Sequence, residues 1–245
     1  MFGNNPIRHA DNNPRQLAVE STFYTIQGEG PYSGKAALFI RLAGCNLACW
    51  FCDTQFETNA DKPQSTSAYV DHLCSMYTED QRRFVVLTGG EPLRQNISEL
   101  LGLLYATGTQ LVQIETAGTL WGNTGIQIEH HFRAGRLDIV CSPKTVKVHP
   151  WIGLNCRHWK YIISDGGVSD VDGLPVFGTS LATSNQRMTI YRPEAAHPAS
   201  CTIWVSPCDE YDEEKNRRNV ELCRSLVLRF QYRLSLQVHK LIGVE

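Results

Sequence analysis

Short runs of apolar and β-branched residues recur along the chain and are separated by polar segments. Several of these runs are almost continuously hydrophobic, which is typical of strands that are buried on both faces of a parallel sheet. The pattern predicts strands over residues 19–26, 37–42, 84–87, 111–114, 137–140, 159–163, 202–205 and 234–238.

Helical patterns lie between some of these runs. Asn96, followed by Glu99, predicts a capping pair that opens a helix over residues 97–105, and Gly108 is a suitable end. A second helix is predicted over residues 212–232, where apolar side chains recur at helical spacing: Val220, Cys223, Val227 and Phe230. The alternation of strands and helices predicts an α/β fold with mostly parallel strands.

Two polar segments interrupt this alternation. Residues 59–66 predict a short loop, and residues 164–186, which are rich in Gly, Ser and Asp, predict a surface excursion or lid. The acidic sequence at 170–173 lacks the distal Glu of a calcium loop and therefore predicts a turn. Residues 1–16 are polar and predict a loose leader, and no repeat or linker divides residues 17–245, which predicts a single domain.

The composition excludes several classes of function. The chain has 245 residues, enough for a sizeable core, with 23 Lys and Arg against 25 Asp and Glu and a net charge of -2. Because no global basic field is present, we do not expect direct binding to nucleic acid. No apolar stretch approaches the roughly 20 residues that span a bilayer, so we do not expect a membrane protein.

Three cysteines, Cys45, Cys49 and Cys52, form a C-x3-C-x2-C motif. An iron–sulfur cube normally takes four thiolates, so three leave one iron free to bind another ligand. A structural zinc site stays open as an alternative, because C-x2-C is half of many zinc sites, although no second pair follows. The odd number of cysteines and the absence of a signal-peptide pattern favour the reducing cytoplasm over a secreted disulfide protein.

A second motif, Thr88-Gly89-Gly90-Glu91-Pro92, directly follows the predicted strand 84–87. Paired glycines let a ligand approach the backbone closely, and ligands of parallel α/β folds bind at the carboxyl ends of the strands. Together with the cysteine triplet, this turn resembles the radical S-adenosylmethionine superfamily. In that superfamily the methionyl amine and carboxylate of the cofactor bind the open iron, and the Gly-Gly-Glu turn holds the amino group.

Within that superfamily the chain is similar, over nearly its whole length, to the 7-carboxy-7-deazaguanine synthase family of the deazapurine (queuosine) pathway. The motifs that carry the resemblance are Thr25-Ile-Gln-Gly-Glu-Gly30, Phe39-Ile-Arg-Leu42, Gly44-Cys45, Cys52-Asp-Thr54, Val86-Leu-Thr-Gly-Gly-Glu-Pro92, Gln113-Ile-Glu-Thr-Ala-Gly-Thr119, Ser142-Pro-Lys144 and Arg233-Leu-Ser-Leu-Gln-Val-His-Lys240. The resemblance implies a modified partial (β/α) barrel of the radical S-adenosylmethionine type.

The resemblance also implies the cofactors and the residues that bind them. A [4Fe–4S] cluster would be ligated by the cysteine triplet, and Mg²⁺, which prefers hard oxygen ligands, would bind at Thr54. The implied contacts to S-adenosylmethionine are Phe51, Gly90, Glu115, Ser142, Pro143, Lys144, Val205, Ser206, Pro207 and Cys208. Glu115 would bind the ribose, with a structural cap or salt bridge as the alternative, and the turn at 205–208 departs from the Gln-Pro of many relatives.

For the substrate, the resemblance implies a pterin that carries a carboxylate. An arginine in an apolar strand is expensive to bury, and Arg41 could bind that carboxylate through two parallel hydrogen bonds. The implied substrate contacts are Ile26, Gln27, Gly28, Glu29, Arg41, Thr88, Gln237, His239 and the main-chain carboxylate of Glu245.

The implied reaction converts 6-carboxy-5,6,7,8-tetrahydropterin to 7-carboxy-7-deazaguanine with release of ammonia, in a homodimer that receives electrons from flavodoxin or ferredoxin. Two alternatives stay open. A glycyl-radical activase shares the triplet but would have little use for Gln27-Gly28-Glu29 or for Gln237 and His239. A zinc-binding module explains three cysteines but not the glycine turn.

Overall fold

An eight-stranded sheet forms the centre of the computed structural model, which describes residues 5–121, 125–178, 190–193 and 201–244. In the described residues its strand order is β10-β9-β8-β7-β6-β5-β3-β2, and every pair is parallel except β2 with β3. The strands are β2 (Val19–Ile26), β3 (Ala36–Leu42), β5 (Phe84–Gly89), β6 (Leu111–Thr116), β7 (Leu137–Cys141), β8 (His158–Ile163), β9 (Thr202–Pro207) and β10 (Arg233–Leu234). A separate antiparallel pair joins β1 (Gln16–Leu17) to β4 (Gln64–Ser65).

The helices connect and cover the strands. They are α1 (Thr66–Met76), α2 (Ser98–Ala106), α3 (Gly125–Arg133), α4 (Pro150–Asn155), α5 (Glu213–Phe230) and α6 (Val238–Ile242), with short 3-10 turns at Gly30–Tyr32, Asp80–Arg82 and Pro92–Arg94. Helix α5 packs on β8, β9 and β10, and α3 packs on β7. Among the described residues, the structure contains no helix with the length and apolar character needed to cross a membrane.

The two faces of the sheet differ in chemistry because successive side chains of a strand point to opposite sides. On β3, Leu38, Ile40 and Leu42 belong to the large apolar core that includes residues of α1 and α2. The alternate residue Arg41 points to the other face and lies in register with Thr88 of β5. The polar side chains of several strands are thereby gathered on the face away from the main core.

The predicted fold class is confirmed, and so are the predicted strands, apart from their exact ends and with the exception of the run 234–238. Helix α5 begins after Asp212, whose side chain accepts a hydrogen bond from Lys215 N as an N-cap. The predicted capping box at Asn96 is wrong in detail, because Asn96 Oδ1 instead accepts from Ser98 N (3.1 Å) and the helix begins at Ser98. The pattern did not predict α1, α3 or α4.

The prediction of a strand over residues 234–238 is wrong. Strand β10 contains only Arg233 and Leu234, and residues 238–242 form α6. Val238 N donates to Gly28 O (3.2 Å), so the chain leaves the sheet edge and turns across to the loop after β2. An apolar run of this length does not distinguish a buried strand from a short helix.

The described part of the predicted leader, residues 5–16, is held against the cysteine loop. Arg8 N donates to Cys45 O (2.7 Å), and the Arg8 guanidinium pairs with Asp61 (2.7 Å) and Glu57 (3.0 Å). Asp11 N donates to Arg94 O (2.7 Å). The predicted looseness is therefore not seen in this part, because its backbone donors find partners near the cysteines.

The acidic turn at 170–173 is closed by protein groups. Asp172 pairs with Arg192 (2.7 Å), its carbonyl accepts from Tyr232 Oη (2.7 Å), and its Oδ1 accepts from Leu174 N (3.0 Å). These contacts agree with the predicted turn. The rest of the predicted 164–186 excursion, from residue 179 onward, lies outside the described residues.

Candidate active site

A cavity of about 280 Å³ opens on the polar face of the sheet, near the carboxyl ends of its parallel strands. Most of the predicted site residues line it: Ile26, Gln27, Glu29, Arg41, Cys45, Cys49, Phe51, Cys52, Thr54, Thr88, Gly90, Glu115, Ser142, Lys144, Ser206, Pro207, Cys208, Gln237 and His239. Gly28, Pro143 and Val205 are outside this lining, and Glu245 lies outside the described residues. One cavity therefore joins the cysteine motif to the polar residues of the strands.

The three cysteines of the motif form one wall of the cavity. The chain leaves β3 through Gly44, which has a φ of +79° and whose N donates to Phe56 O (2.8 Å). Cys45 is buried with Leu47 and Phe56, and Cys49 and Cys52 pack against this small cluster. Leu47 N donates to Cys45 Sγ (3.4 Å) and Cys52 N to Cys49 O (3.1 Å), so backbone contacts hold the thiols on one loop.

The chemistry of these thiols fits a metal cluster. Burial raises the pKa of Cys45 to about 12 and also raises the pKa of Cys52, so metal binding must displace their protons. None of the three is in a disulfide. Across the described ranges, no three His, Cys, Asp or Glu side chains converge as a single metal ion requires. Three cysteines on one loop suit an iron–sulfur cube with one open iron, whereas a structural zinc site takes a closed set of four ligands.

The glycine turn after β5 packs directly on the cysteine loop. Gly90 N donates to Leu42 O (3.1 Å) and Glu91 N donates to Gly44 O (3.1 Å). A Cβ at Gly90 would lie 2.2 Å from Gly44 O, so only glycine fits there. Gly89 has a φ of +149°, a conformation that L residues rarely adopt. The two glycines let the strand end and the cysteine loop approach each other closely.

The Glu91 side chain points inward and is 1% exposed. Its Oε1 accepts from Thr116 Oγ1 (2.7 Å) and Leu93 N (3.0 Å), and its Oε2 accepts from Ala117 N (2.8 Å). Burial raises the pKa of this carboxyl, and the three donors partly offset that effect. The hydrogen bonds of Glu91 therefore connect the loop after β5 to the end of β6 and the loop that follows it. Glu91 itself does not line the cavity.

The residues predicted to contact S-adenosylmethionine lie next to the cysteine wall. Lys144 Nζ donates to Ser142 Oγ and lies 5.4 Å from the centre of the Phe51 ring. Burial lowers the pKa of Lys144, which makes its neutral form more accessible than that of a surface lysine. Val205 is fully buried in the core, so any contact it makes to a ligand would come from its backbone.

A polar wall built from β3, β5 and β6 faces the cysteines. Glu115 is its centre: Oε1 accepts from Gln27 Nε2 (3.1 Å) and Gln113 Nε2 (3.0 Å), and Oε2 accepts from Thr88 Oγ1 (3.2 Å). Arg41 Nη1 donates to Thr54 Oγ1 (3.4 Å), beside the cysteine loop. Glu115 was predicted to bind the cofactor ribose, whereas its hydrogen bonds join it to Gln27 and Thr88, which were predicted to bind substrate.

A buried ion pair between Lys160 of β8 and Glu29 was missed by sequence analysis. Lys160 Nζ donates to Glu29 Oε2, and the two side chains are 11% and 13% exposed. Burial alone would raise the pKa of Glu29, but attraction to Lys160 and hydrogen bonds outweigh it and the pKa is lowered. Lys160 interrupts the apolar run 159–163. A charged residue in an apolar strand is expensive to bury, as was argued for Arg41, and the same reasoning would have identified Lys160.

The carboxyl-terminal segment completes the wall. Gln237 Nε2 donates to Asp53 Oδ2 (3.1 Å), and Lys240 Nζ donates to Asp209 Oδ2 (2.7 Å). A Cβ on Gly28 would lie 2.2 Å from His239 Nδ1. Gly28 therefore does not line the cavity itself but lets His239 pack directly against the backbone after β2. Burial lowers the pKa of His239, which favours the neutral ring. Asp53 was not predicted as a site residue, although its position next to Cys52 in the sequence could have indicated one.

The chain is similar in sequence and fold to several known proteins. A family described as "4Fe-4S single cluster domain" matches residues 26–145. A Rhodospirillum rubrum protein named 7-carboxy-7-deazaguanine synthase is 39% identical over 253 residues, covering 100% of both chains. A Rickettsia prowazekii protein of the same name is 35% identical over 249 residues, covering 100% of this chain and 96% of its own. The crystal structure of QueE from Escherichia coli has a TM-score of 0.61 at 24% identity, covers 90% of this chain and 93% of its own, and supports the fold alone.

Proposed function

The chain belongs to the 7-carboxy-7-deazaguanine synthase family of radical S-adenosylmethionine enzymes, and we propose that it contracts the ring of 6-carboxy-5,6,7,8-tetrahydropterin to 7-carboxy-7-deazaguanine and releases ammonia. Membership places it in deazapurine biosynthesis as an enzyme that uses an iron–sulfur cluster and S-adenosylmethionine on a small molecule. The observation that carries the proposed substrate is the contact between Arg41 and Thr54, which joins the polar wall to the cysteine wall.

The cysteine wall fits the cluster, and the adjoining residues fit the cofactor. Cys45, Cys49 and Cys52 would hold the cluster, with Phe51, Gly90, Ser142 and Lys144 beside it on the same cavity. When bound, the cluster and S-adenosylmethionine supply a carbon radical that removes hydrogen from a substrate. Leu47 and Phe56 pack against Cys45 in a small buried cluster, which shields that thiol from water.

The polar wall would orient the pterin. Arg41 would bind its carboxylate through a planar, two-pronged guanidinium. The carboxylate of Glu115, already held by Gln27 and Thr88, has acceptor oxygens that suit the N–H groups of an aminopyrimidinone ring. His239, kept neutral by burial, offers one donor and one acceptor at the opposite edge. Substrate would thus lie between the strand residues and α6.

Magnesium would bind near the substrate carboxylate at Thr54. Thr54 Oγ1 donates to Asp53 Oδ1 (3.1 Å) and accepts from Arg41, which brings hard oxygen atoms to the place where a carboxylate would arrive. Mg²⁺ keeps several waters and needs few protein ligands, so a small oxygen set is sufficient. The ion would neutralise and orient the carboxylate.

The remaining parts of the proposal come from the family resemblance. We propose a cytoplasmic homodimer that receives electrons from a flavodoxin or ferredoxin. The resemblance also implies that the main-chain carboxylate of Glu245 would contact the substrate.

The reaction is tested by anaerobic reconstitution with iron and sulfide, followed by incubation with reductant, S-adenosylmethionine, Mg²⁺ and the carboxy-tetrahydropterin. We expect a product 17 mass units lighter than the substrate, which corresponds to ammonia, and an equal amount of free ammonia. Cys49→Ala should lose the cluster absorbance and the product, whereas Cys74→Ala, at a free cysteine of α1, should retain both. A colourless protein with stoichiometric zinc, or a coloured protein that leaves the pterin unchanged, would refute the proposal.

A further inference from the structure

Helix α6 brings the half-buried His239 to the cavity wall. None of its residues is buried, and Leu241 and Ile242 are 73% and 52% exposed. A helix of this length is not stable alone, and burial of an apolar face is the usual source of its stability. In the described chain, the position of α6 therefore depends on polar contacts.

Two of those contacts are made by Lys240, and two by the residues just before it. Lys240 Nζ donates to Asp209 Oδ2 (2.7 Å) and lies 3.7 Å from Asp53 Oδ2. The same Asp53 oxygen accepts from Gln237 Nε2 (3.1 Å), and Val238 N donates to Gly28 O (3.2 Å). One lysine therefore bridges two carboxylates that belong to different loops.

The two loops are the ones that the proposed chemistry needs. Asp53 directly follows Cys52 in the cysteine loop, and Asp209 directly follows the turn at 205–208 that lines the cofactor side of the cavity. Lys240 is thus the place where the cluster loop, the cofactor turn and the carboxyl-terminal segment are joined. Its neighbours in sequence, Gln237 and His239, project into the cavity.

We propose that Lys240 is a positioning residue that holds α6 against both loops and so places Gln237 and His239 for the substrate. The inference rests on the proposed function, because it assigns these two side chains to the pterin. The Lys240 side chain is 41% exposed, and ion pairs at such positions are individually weak. The closed state, in which α6 packs against both loops, is therefore only slightly lower in free energy than an open state. Opening of α6 would allow substrate to enter and product to leave.

This arrangement predicts a specific kinetic signature. If only a fraction of molecules has α6 closed, the apparent affinity falls by that fraction, and saturating substrate restores the closed state. In the holoenzyme, Lys240→Met should raise KM for the carboxy-tetrahydropterin roughly threefold to tenfold and change kcat by less than about twofold. Lys240→Arg, which keeps the charge, should recover most of the loss. Lys215→Met removes an exposed lysine of α5, which pairs with Glu210 of the preceding loop, and is the matched control.

A second measurement does not depend on turnover. In the cluster-free protein, hydrogen exchange at the amides of Lys240 and Val244 should accelerate in Lys240→Met, because these amides donate to Gln237 O and His239 O at the two ends of α6. The amides of β5 and β6 should keep their wild-type exchange. Unchanged exchange of the α6 amides, or a kcat loss without a KM change, would overturn the role of Lys240. A wild-type protein that fails to convert the pterin would refute the proposed function instead, and exchange would still decide the role of Lys240.

Discussion

Removing Lys160 leaves the Glu29 carboxylate in a buried place without its cation. Deleting one partner of a buried pair costs about 3–5 kcal/mol. Because this pair lines a cavity that water can enter, we expect the lower end, about 3 kcal/mol, for Lys160→Met. For a chain of this size that corresponds to a fall in Tm of roughly 6–12 °C. Met is unbranched and fills nearly the same space, so the loss reports charge rather than a void.

The reciprocal and double variants separate charge pairing from packing. Glu29→Gln should cost about 2 kcal/mol, less than Lys160→Met, because Glu115 also attracts Lys160. The double variant removes both charges and should cost only about 1–2 kcal/mol, since apolar or neutral replacement of a buried pair is often nearly neutral. The pair would then show a coupling free energy of about 3–4 kcal/mol.

The assay is thermal unfolding of cluster-free, reduced protein followed by circular dichroism, with the exposed Lys147→Met as the control. In wild type the pKa of Glu29 is lowered, so its contribution to stability is present above the ordinary carboxyl value of 4.5 and is lost as pH falls through the folded value. In Lys160→Met burial would instead raise that pKa, and stability would fall as pH rises past 4.5. The deficit should therefore be larger at pH 7 than at pH 4. The reasoning would be refuted if the losses of stability in the two single variants added up in the double variant. It would also be refuted if the loss of stability in Lys160→Met were the same at pH 4 and pH 7.

Three further predictions concern the mouth of the cavity and the end of the chain. Gly28→Ala should raise KM for the pterin at least about tenfold by pushing His239 away, whereas Gly102→Ala, in open space on α2, should raise stability by up to about 1 kcal/mol; equal KM values in the two variants would contradict this. Thr54→Ala should weaken the Mg²⁺ dependence of turnover while iron content stays at the wild-type level, and an unchanged Mg²⁺ titration would exclude the site. A peptide tag after Glu245 should raise KM or abolish turnover, and a fully active tagged enzyme would exclude a role for the terminal carboxylate.

The strands could be predicted because the length of each run, its hydrophobicity and the turn residues beside it all indicate the same structure. The run 84–87, for example, is fully buried and ends in the glycine turn that the sequence also showed. Helices α1 and α3 were missed although each has a buried face: α1 buries Tyr69, Val70 and Leu73, and α3 buries Gly125 and Ile128. Their stability comes from packing against the rest of the protein, which a local pattern does not show.

The site was predictable where the sequence brings its chemistry together and not where only the fold does. Cys45, Cys49 and Cys52 lie within one short loop, so their spacing alone predicted a common ligand. The pair of Glu29 with Lys160 joins residues that are 131 positions apart. Only the register of the sheet and the turn at the end of β2 bring these two side chains together, and neither is visible in a linear sequence.

The cavity is built from two kinds of support, and they suit different tasks. Arg41, Thr88 and Glu115 lie on adjacent strands whose other faces are packed in the main core, so their positions are fixed by the sheet. His239 lies on α6, which has no buried face and is held by Lys240 and its neighbours. A rigid wall sets which ligand fits, because its hydrogen-bonding groups are already in place before the ligand arrives. A weakly held helix can open and close on that wall, so exchange of substrate for product need not disturb the loop that carries the cysteines.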